Sequence, residues 1–278
     1  MRLCAETLSD GPDSGGELDH GVITPRAREE AREYLVSIEV EQRPQALPGK
    51  LSQLGFGEGI CNHFSVEIPG RLGHFLINPQ GLHWSEVTPG GLVVVDAAGR
   101  KVEGRHDVEP TAFFIHGAMH RSKPSAKCAM HTHMPFATTL TVVHGGRLEW
   151  ASQNSLKFHG RVAYDDHYNG LALDEAEGER MCAQAKDADV LFLGNHGVMV
   201  CGPSVALAFD DLYYLERACM LQVLAMGTGK PLRIVSERVA MMTGRQMTED
   251  SEQAELHFAA IRRMLDRDEP GWSRHDQG

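Results

Sequence analysis

The 278-residue sequence lacks several features that would each fix a class of protein. It has no apolar run that approaches the roughly 18 residues needed to span a bilayer. Its polar N-terminal stretch lacks the hydrophobic segment of a secretory signal. Positive charge is also in deficit, because 27 basic and 38 acidic residues give a net charge of −11, which argues against a nucleic-acid partner. We therefore expect a cytoplasmic protein that acts on a small molecule and does not enter a membrane.

Closely spaced cysteine pairs are absent as well. The sequence contains six scattered cysteines and no Cys-x-x-Cys motif: Cys4, Cys61, Cys128, Cys182, Cys201 and Cys219. This pattern is typical of reduced thiols in a cytoplasm, and it argues against a cysteine-based zinc site.

The pattern of apolar, Gly and Pro residues predicts one α/β domain with two arms. Residues 1–23 are polar and Gly-rich and are expected to form a flexible N-terminal arm, whereas the domain is predicted over 24–229. Within it, a Thr cap followed by Pro and early acidic residues predicts a helix over 25–42. Short β-rich runs and helical segments follow. Residues 230–278 are expected to add one helix and a polar tail.

The stretch CAMHTHMP, residues 128–135, carries two histidines in His-x-His spacing. In an extended strand, residues i and i+2 point to the same face, so His131 and His133 can lie side by side. A third histidine, His196, lies in a Gly-flanked turn between two apolar segments. Two histidines on one strand and a third from a distant turn form a common tripod for zinc, iron or cobalt. The residues thus predict an open three-histidine site without selecting its metal.

Four stretches, taken in order, resemble the class II aldolase/adducin family. They are GFGEGICNHFSVEIPG (55–70), FLINPQGLHWSEVTPGGLVVVD (75–96), EPTAFFIHGAMHRSKPSAKCAMHTH (109–133) and LFLGNHGVMVCGPSVALAFDDLYYLERAC (191–219). The resemblance implies a three-layer α/β (α+β) fold, with a central, mostly antiparallel β-sheet flanked by helices. It also implies a homotetramer, and a metal held by His131, His133 and His196.

One departure from the family pattern concerns the acid/base residue. Family aldolases carry a Ser-Ser-Glu segment whose Glu lies four residues before a helical histidine. Here that histidine is His116, and Pro110, Thr111 and Ala112 stand in place of the segment. Loss of a positioned general base typically costs roughly 10²–10⁴-fold in rate. In addition, His63 replaces an asparagine of the Gly-rich loop. The sequence therefore does not favour an aldolase that acts on a sugar phosphate.

Three neutral ligands leave positions for a bidentate substrate and O₂, as non-haem iron oxygenases require. Within the family, the chain is most similar to the CloR/NovR-type iron oxygenases of aminocoumarin antibiotic biosynthesis. This resemblance implies Fe(II), with Zn²⁺ or Mn²⁺ as alternatives, and O₂ as cosubstrate. It further implies oxidative decarboxylation of an aromatic 2-oxo acid, a prenylated 4-hydroxyphenylpyruvate, through a mandelate to a prenylated 4-hydroxybenzoate. The alternatives are a metal-dependent lyase and an adducin-like module without chemistry.

A pocket for such an aromatic substrate is expected to be largely apolar. Its candidate wall residues, each of which is more often an ordinary core residue than a pocket wall, are Trp84, Phe113, Phe114, Met134 and Phe136. His116 and His120 share one helix face, and His116 is predicted to orient substrate. Gln153 and Asn154, or backbone carbonyls, are candidates to orient the imidazoles. The segment 164–170, YDDHYNG, is interpreted as a polar turn in preference to a second metal site.

Overall fold

A computed structural model describes residues 58–87 and 89–268 of the protein. The predicted arm 1–23 and helix 25–42 lie outside the described residues. Eight strands of the described part form one sheet: β1 (His63–Glu67), β2 (His74–Ile77), β3 (Val93–Asp96), β4 (Lys101–Glu103), β5 (Cys128–Thr132), β6 (Val162–Asp165), β7 (Val190–Leu193) and β8 (Gly197–Gly202). The spatial order of the strands is β4-β3-β2-β1-β5-β8-β7-β6. Neighbouring strands are antiparallel except for the parallel pair β6–β7, so the prediction of a mostly antiparallel sheet is confirmed.

Helices flank this sheet on both sides. In the described residues they are α1 (Pro110–Ser122), α2 (Pro135–Thr141), α3 (Gln153–Leu156), α4 (Glu175–Ala185), α5 (Val205–Met226), α6 (Glu237–Glu249) and α7 (Glu252–Asp268), with short 3-10 turns at Trp84–Glu86 and Pro89–Gly91. The predicted long helix with a Ser cap and a Gly stop is confirmed in α5. The Ser204 hydroxyl accepts a hydrogen bond from the Leu207 amide, and Gly227 follows the last turn. None of the described helices is long and apolar enough to cross a membrane.

The alternation of side chains along β5 assigns its residues to two different cores. Met130 packs into the large cluster beneath α5, with Phe209 and Leu212. Ala129 packs into a second cluster beneath α1 and α4, with Ile115 and Met181. Since residues two apart share a face, His131 points to the same side as Ala129. The side chain of His131, a candidate metal ligand, therefore lies on the face of the sheet that α1 covers.

The C-terminal part differs from the expectation of one helix and a tail, because the described residues form two helices, α6 and α7. In α7, Phe258 and Ile261 are buried in the large cluster beneath α5. The ring of His257 lies 2.7 Å from the Asp210 carboxylate of α5. These contacts make α7 part of the same packed body. Two other elements, β6 and α3, carried no clear signal because each is only four residues long.

A buried carboxylate fixes α2, the helix that directly follows the histidine pair. Glu216 of α5 is fully buried, and its two oxygens accept hydrogen bonds from the Phe136 and Ala137 amides, each at 2.9 Å. These amides belong to the first turn of α2, where backbone donors have no partner within the helix. Glu216 therefore couples the position of α2 to the long helix α5.

We predict that Glu216→Ala destabilises the protein by about 2–5 kcal/mol, since it leaves two buried donors unpaired at roughly 1–3 kcal/mol each. Urea unfolding followed by circular dichroism measures this change. Glu249→Ala, at an exposed site near the end of α6, is the control and is expected to stay within about 0.5 kcal/mol of the parent protein. Equal stability of the two variants would contradict the anchoring role of Glu216.

Candidate metal centre

Three histidines from two strand ends converge at one edge of the sheet. His131 lies near the end of β5, His133 follows that strand, and His196 lies in the turn between β7 and β8. One ring nitrogen from each histidine lies within 4.8 Å of the other two, so the three together could hold a metal ion. In the turn, Asn195 adopts a left-handed backbone (φ 56°), and its amide donates to the Thr141 carbonyl. The His-x-His pair and the distant third histidine, singled out from the sequence, are thus brought together.

The outer nitrogens of two rings have acceptors, and this fixes where their protons lie. His131 Nδ1 is 3.0 Å from the Val198 carbonyl oxygen, and His133 Nδ1 is 2.5 Å from a carboxylate oxygen of Glu58. Donation to these acceptors puts the proton of each neutral ring on Nδ1. The two Nε2 atoms then carry lone pairs.

These two lone-pair nitrogens face each other at 3.1 Å. Two acceptors cannot form a hydrogen bond with each other, whereas a shared cation stabilises both. Metal–imidazole bonds of about 2.0–2.1 Å at angles near 90–110° place ligand nitrogens roughly 2.9–3.4 Å apart. The observed spacing therefore fits coordination of one ion.

Burial lowers the pKa of two imidazoles of this centre, those of His131 and His196. Desolvation holds the pKa of His131 well below its ordinary value of 6.5, and the nearby His196, His63 and His133 rings lower it further. Burial, followed by the neighbouring His133 and His63 rings, lowers the pKa of His196 to about 4. Neutral imidazole is the form that binds metals, so burial favours the metal-binding form of these two rings.

The loop that begins at Glu58 holds both the backbone and the side chain of His133. Besides the Glu58 contact, the Asn62 side-chain oxygen accepts from the His133 amide at 3.0 Å. Asn62 has a φ of 93°, which is uncommon for a residue other than Gly. A carboxylate on the outer nitrogen of a ligating imidazole is a frequent orienting group. Sequence reasoning missed Glu58, because no spacing rule connects it to a histidine 75 residues away.

Gln153 and Asn154, expected to orient the imidazoles, lie elsewhere. They line a separate cavity of about 930 Å³ together with Gly202, at the far end of β8. The triad lies at the Gly197 end of this six-residue strand, roughly 15 Å away at the usual rise per residue. Backbone carbonyls were the other groups expected to orient the imidazoles, and the Val198 carbonyl accepts from His131 Nδ1.

Behind the triad, His116 and His120 belong to a buried chain of hydrogen bonds. His120 Nδ1 donates to the Ala126 carbonyl at 2.7 Å, which leaves its Nε2 as an acceptor. The Ser65 hydroxyl therefore donates to His120 Nε2 at 2.7 Å and accepts from His116 Nδ1 at 2.6 Å. His116 Nε2 is buried without a hydrogen-bond partner. His116 is only 2% exposed, and its role as a substrate-orienting group stays a prediction.

His63 lies between this buried chain and the triad. It is the cross-strand partner of His131, and the two rings stack with centroids 5.7 Å apart. The edge of the His116 ring meets it from the other side at 6.1 Å. Burial lowers the pKa of His63 to about 4, although the nearby Glu109 carboxylate acts in the opposite direction. The substitution noted in the Gly-rich loop thus adds a fourth imidazole beside the three candidate ligands.

The five predicted pocket-wall residues lie largely in packed regions. Trp84 and Met134 are buried in the large cluster, and Phe136 packs against it. The Phe113 ring lies beside Gly99 and Gly117, and Phe114 packs against Gly178 of α4. Their role as substrate contacts stays a prediction.

The segment 164–170 holds its carboxylates in ion pairs. Both Asp165 oxygens accept from Arg180, at 3.0 and 2.8 Å, and Asp166 pairs with Arg147 at 2.6 Å. Among residues 58–87 and 89–268, the one group of three or more potential ligand side chains that could hold a metal is the histidine triad. The segment nevertheless borders the centre, because the exposed Tyr168 ring lies 6.4 Å from the His196 ring.

Fold and site together define a three-layer α+β protein with a three-histidine centre at one sheet edge. The chain belongs to the class II aldolase/adducin family, because the family model "Class II Aldolase and Adducin N-terminal domain" matches residues 46–223. It is 33% identical to a class 2 aldolase-type protein of Pseudomonas aeruginosa, over 78% of this chain and 85% of that protein. It is 29% identical to the decarboxylase NovR of Streptomyces niveus, over 76% of this chain and 80% of that protein. A crystal structure of an aldolase II superfamily protein from Pseudomonas syringae superposes with a TM-score of 0.79 at 29% identity, covering 91% of this chain and 97% of that chain.

We predict that His131→Ala, His133→Ala and His196→Ala each abolish stoichiometric metal binding, because two remaining imidazoles do not complete the tripod. Elemental analysis after anaerobic loading with Fe(II) and dialysis measures the bound metal. His74→Ala, at the start of β2, is the matched control and is expected to retain it. Full occupancy after any one of the three changes would remove that residue from the ligand set.

The buried histidines also predict acid lability of the metal-free protein. Burial lowers the pKa of His120 to about 4, against an ordinary value of 6.5. Between these values the unfolded chain binds a proton that the folded chain does not, so stability is complete above pH 6.5 and falls towards pH 4. The gap corresponds to about 3 kcal/mol for this one group. Urea unfolding at a series of pH values measures the slope, and His120→Gln is expected to flatten it. An unchanged slope in that variant would contradict the assignment.

Proposed function

We propose that the protein is a non-haem Fe(II)-dependent oxygenase that oxidatively decarboxylates an aromatic 2-oxo acid. The proposed substrate is a prenylated 4-hydroxyphenylpyruvate, converted through a 2-hydroxy acid of the mandelate type to a prenylated 4-hydroxybenzoate in antibiotic biosynthesis. The bound metal would supply open coordination positions for the substrate and O₂. The protein's own residues would hold that metal through His131, His133 and His196.

One observation carries this proposal: the candidate ligand set consists of three imidazoles and contains no carboxylate. At position 112, where family aldolases have their acid/base Glu, this chain has Ala. The Ala112 side chain is 1% exposed and packs with Ile77 and Val93 in a small core cluster. The neutral tripod leaves positions for a chelating 2-oxo acid and for O₂ on one ion. The similarity to the decarboxylase NovR supports the same reaction class.

A metal-dependent lyase, either an aldolase or a non-oxidative decarboxylase, is the second candidate function. The similarity to the class 2 aldolase-type protein of Pseudomonas aeruginosa favours it. Zn²⁺ or Mn²⁺ at the same tripod would act there as a Lewis acid. A third candidate is an adducin-like module without catalysis, which the shared family supports. An intact tripod of imidazoles has no evident use in such a module.

We propose the same cellular setting and assembly as the sequence implies, namely a cytoplasmic homotetramer. Within residues 58–268, the described cysteines are free thiols, as expected in a reducing compartment. The exposed Tyr168 ring borders the centre, and Leu171 and Leu173, which follow it in the chain, are also exposed. Burial of these side chains against a second copy would be consistent with the assembly common in the family.

Oxygen consumption tests the proposed reaction. Protein purified without O₂ and loaded with Fe(II) is mixed with an aromatic 2-oxo acid, and O₂ uptake and CO₂ release are followed together. We expect both, in equal amounts for the first decarboxylation, and neither in His131→Ala protein. Absence of O₂ uptake with every aromatic 2-oxo or 2-hydroxy acid tried would reject the oxygenase. Cleavage or CO₂ release with Zn²⁺ and without O₂ would instead establish the lyase.

A further inference from the structure

A carboxylate that the aldolase pattern does not contain lies near the triad. Glu109 caps the N-terminus of α1, and its Oε2 accepts from the Ala112 amide at 2.8 Å and from the Thr111 hydroxyl. The same oxygen is 3.4 Å from His63 Nε2. Within residues 58–87 and 89–268, the other oxygen, Oε1, forms no hydrogen bond or ion pair. One oxygen of Glu109 is thus fixed by three neighbours, and the second is available.

The contacts of His63 place this carboxylate one imidazole away from the candidate metal ligands. The His63 ring contacts Glu109 at its Nε2 edge and stacks on His131 with a centroid distance of 5.7 Å. The Glu109 side chain is 32% exposed, so part of it is accessible to a bound molecule. Ala112, in contrast, points into the core cluster. A carboxylate three residues before the usual position therefore lies beside His63, whereas Ala112 lies in the core cluster.

We propose that Glu109 is the proton acceptor of this site, and that the substrate is a 2-oxo acid with a hydrogen on the carbon next to its carbonyl. This inference rests on the proposed function, in which a 2-oxo acid binds at the triad. Glu109 Oε1 takes that hydrogen as a proton, so the C–H bond breaks and an O–H bond forms. The electron pair of the C–H bond moves into the enolate form of the substrate, and no oxidant is consumed. Return of a proton from Glu109 completes an exchange with solvent.

The surroundings of Glu109 suit this role. The α1 N-terminus and two hydrogen-bond donors hold the Glu109 carboxylate in position. The three contacts on Oε2 restrict the rotation of the carboxylate, so Oε1 keeps its direction when a substrate binds. A general base must be positioned before its basicity matters. An arylpyruvate has the required hydrogen, whereas an arylglyoxylate does not.

Proton exchange without O₂ tests the proposal. Full-length protein is loaded with Fe(II) anaerobically and mixed with phenylpyruvate in D₂O, and loss of the C3 hydrogen signal is followed by NMR. We expect exchange above the spontaneous rate for the parent protein, and a loss of roughly 10²–10⁴-fold in Glu109→Gln. Glu109→Asp is expected to restore part of the rate. Asp174→Asn, which alters the carboxylate cap of α4, is the matched control and is expected to exchange normally.

A binding measurement separates this inference from the proposed function. The absorption spectrum of Co(II)-loaded protein is titrated with phenylpyruvate, and Glu109→Gln is expected to bind both metal and phenylpyruvate as the parent does. Binding by the parent without exchange, or equal exchange by parent and Glu109→Gln, overturns the role of Glu109 and leaves the proposed function standing. Absence of phenylpyruvate and prenylated-analogue binding in the parent overturns both.

Discussion

Two neutral imidazole nitrogens that face each other at 3.1 Å are the constraint on which the site depends. Each carries a lone pair, because the outer nitrogen of its ring donates to Val198 or Glu58. Burial keeps His131 from accepting a proton that would relieve the conflict. Two facing acceptor nitrogens without a hydrogen-bond donor cost free energy. A cation shared by both nitrogens would remove this cost, and the arrangement therefore suits a metal site. His196 approaches both rings, with centroids 4.6 and 4.9 Å away, and is the third candidate ligand.

The sheet makes this arrangement rigid. β5 is hydrogen-bonded on both sides, to β1 and β8, so the position of His131 is set by two neighbouring strands. The same register brings His63 beside it. Where β5 ends, the chain enters α2, whose first turn is held by the buried Glu216. A ligand pair placed between a paired strand and an anchored helix has little freedom to separate, as the geometry of a metal centre requires.

The candidate ligands of the centre could be predicted from the sequence, but the groups that surround them could not. His-x-His spacing predicts side-by-side rings from strand geometry alone, and a Gly-flanked His marks a turn. The mostly antiparallel sheet and the capped helix α5 were likewise predictable from periodicity, capping residues and family resemblance. Glu58 was not, because a loop brings it to His133 from 75 residues away. Nor was Glu109, since Glu is an uncommon helix cap. Trp84 and Met134, expected at a pocket wall, are buried in the large cluster, and their role as substrate contacts stays a prediction.

The charges explain how a negatively charged protein could attract a negatively charged substrate. The chain has a net charge of −11, which disfavours the approach of a 2-oxo acid. Three neutral ligands would leave the full charge of a divalent ion to act on the substrate carboxylate. The carboxylates of Glu58 and Glu109 contact imidazoles and not the ion position, so they would orient the rings without neutralising that charge. In this arrangement the imidazoles would surround the ion and the carboxylates would lie outside them. Positive charge would therefore be concentrated at the place where an anionic chelating substrate would bind.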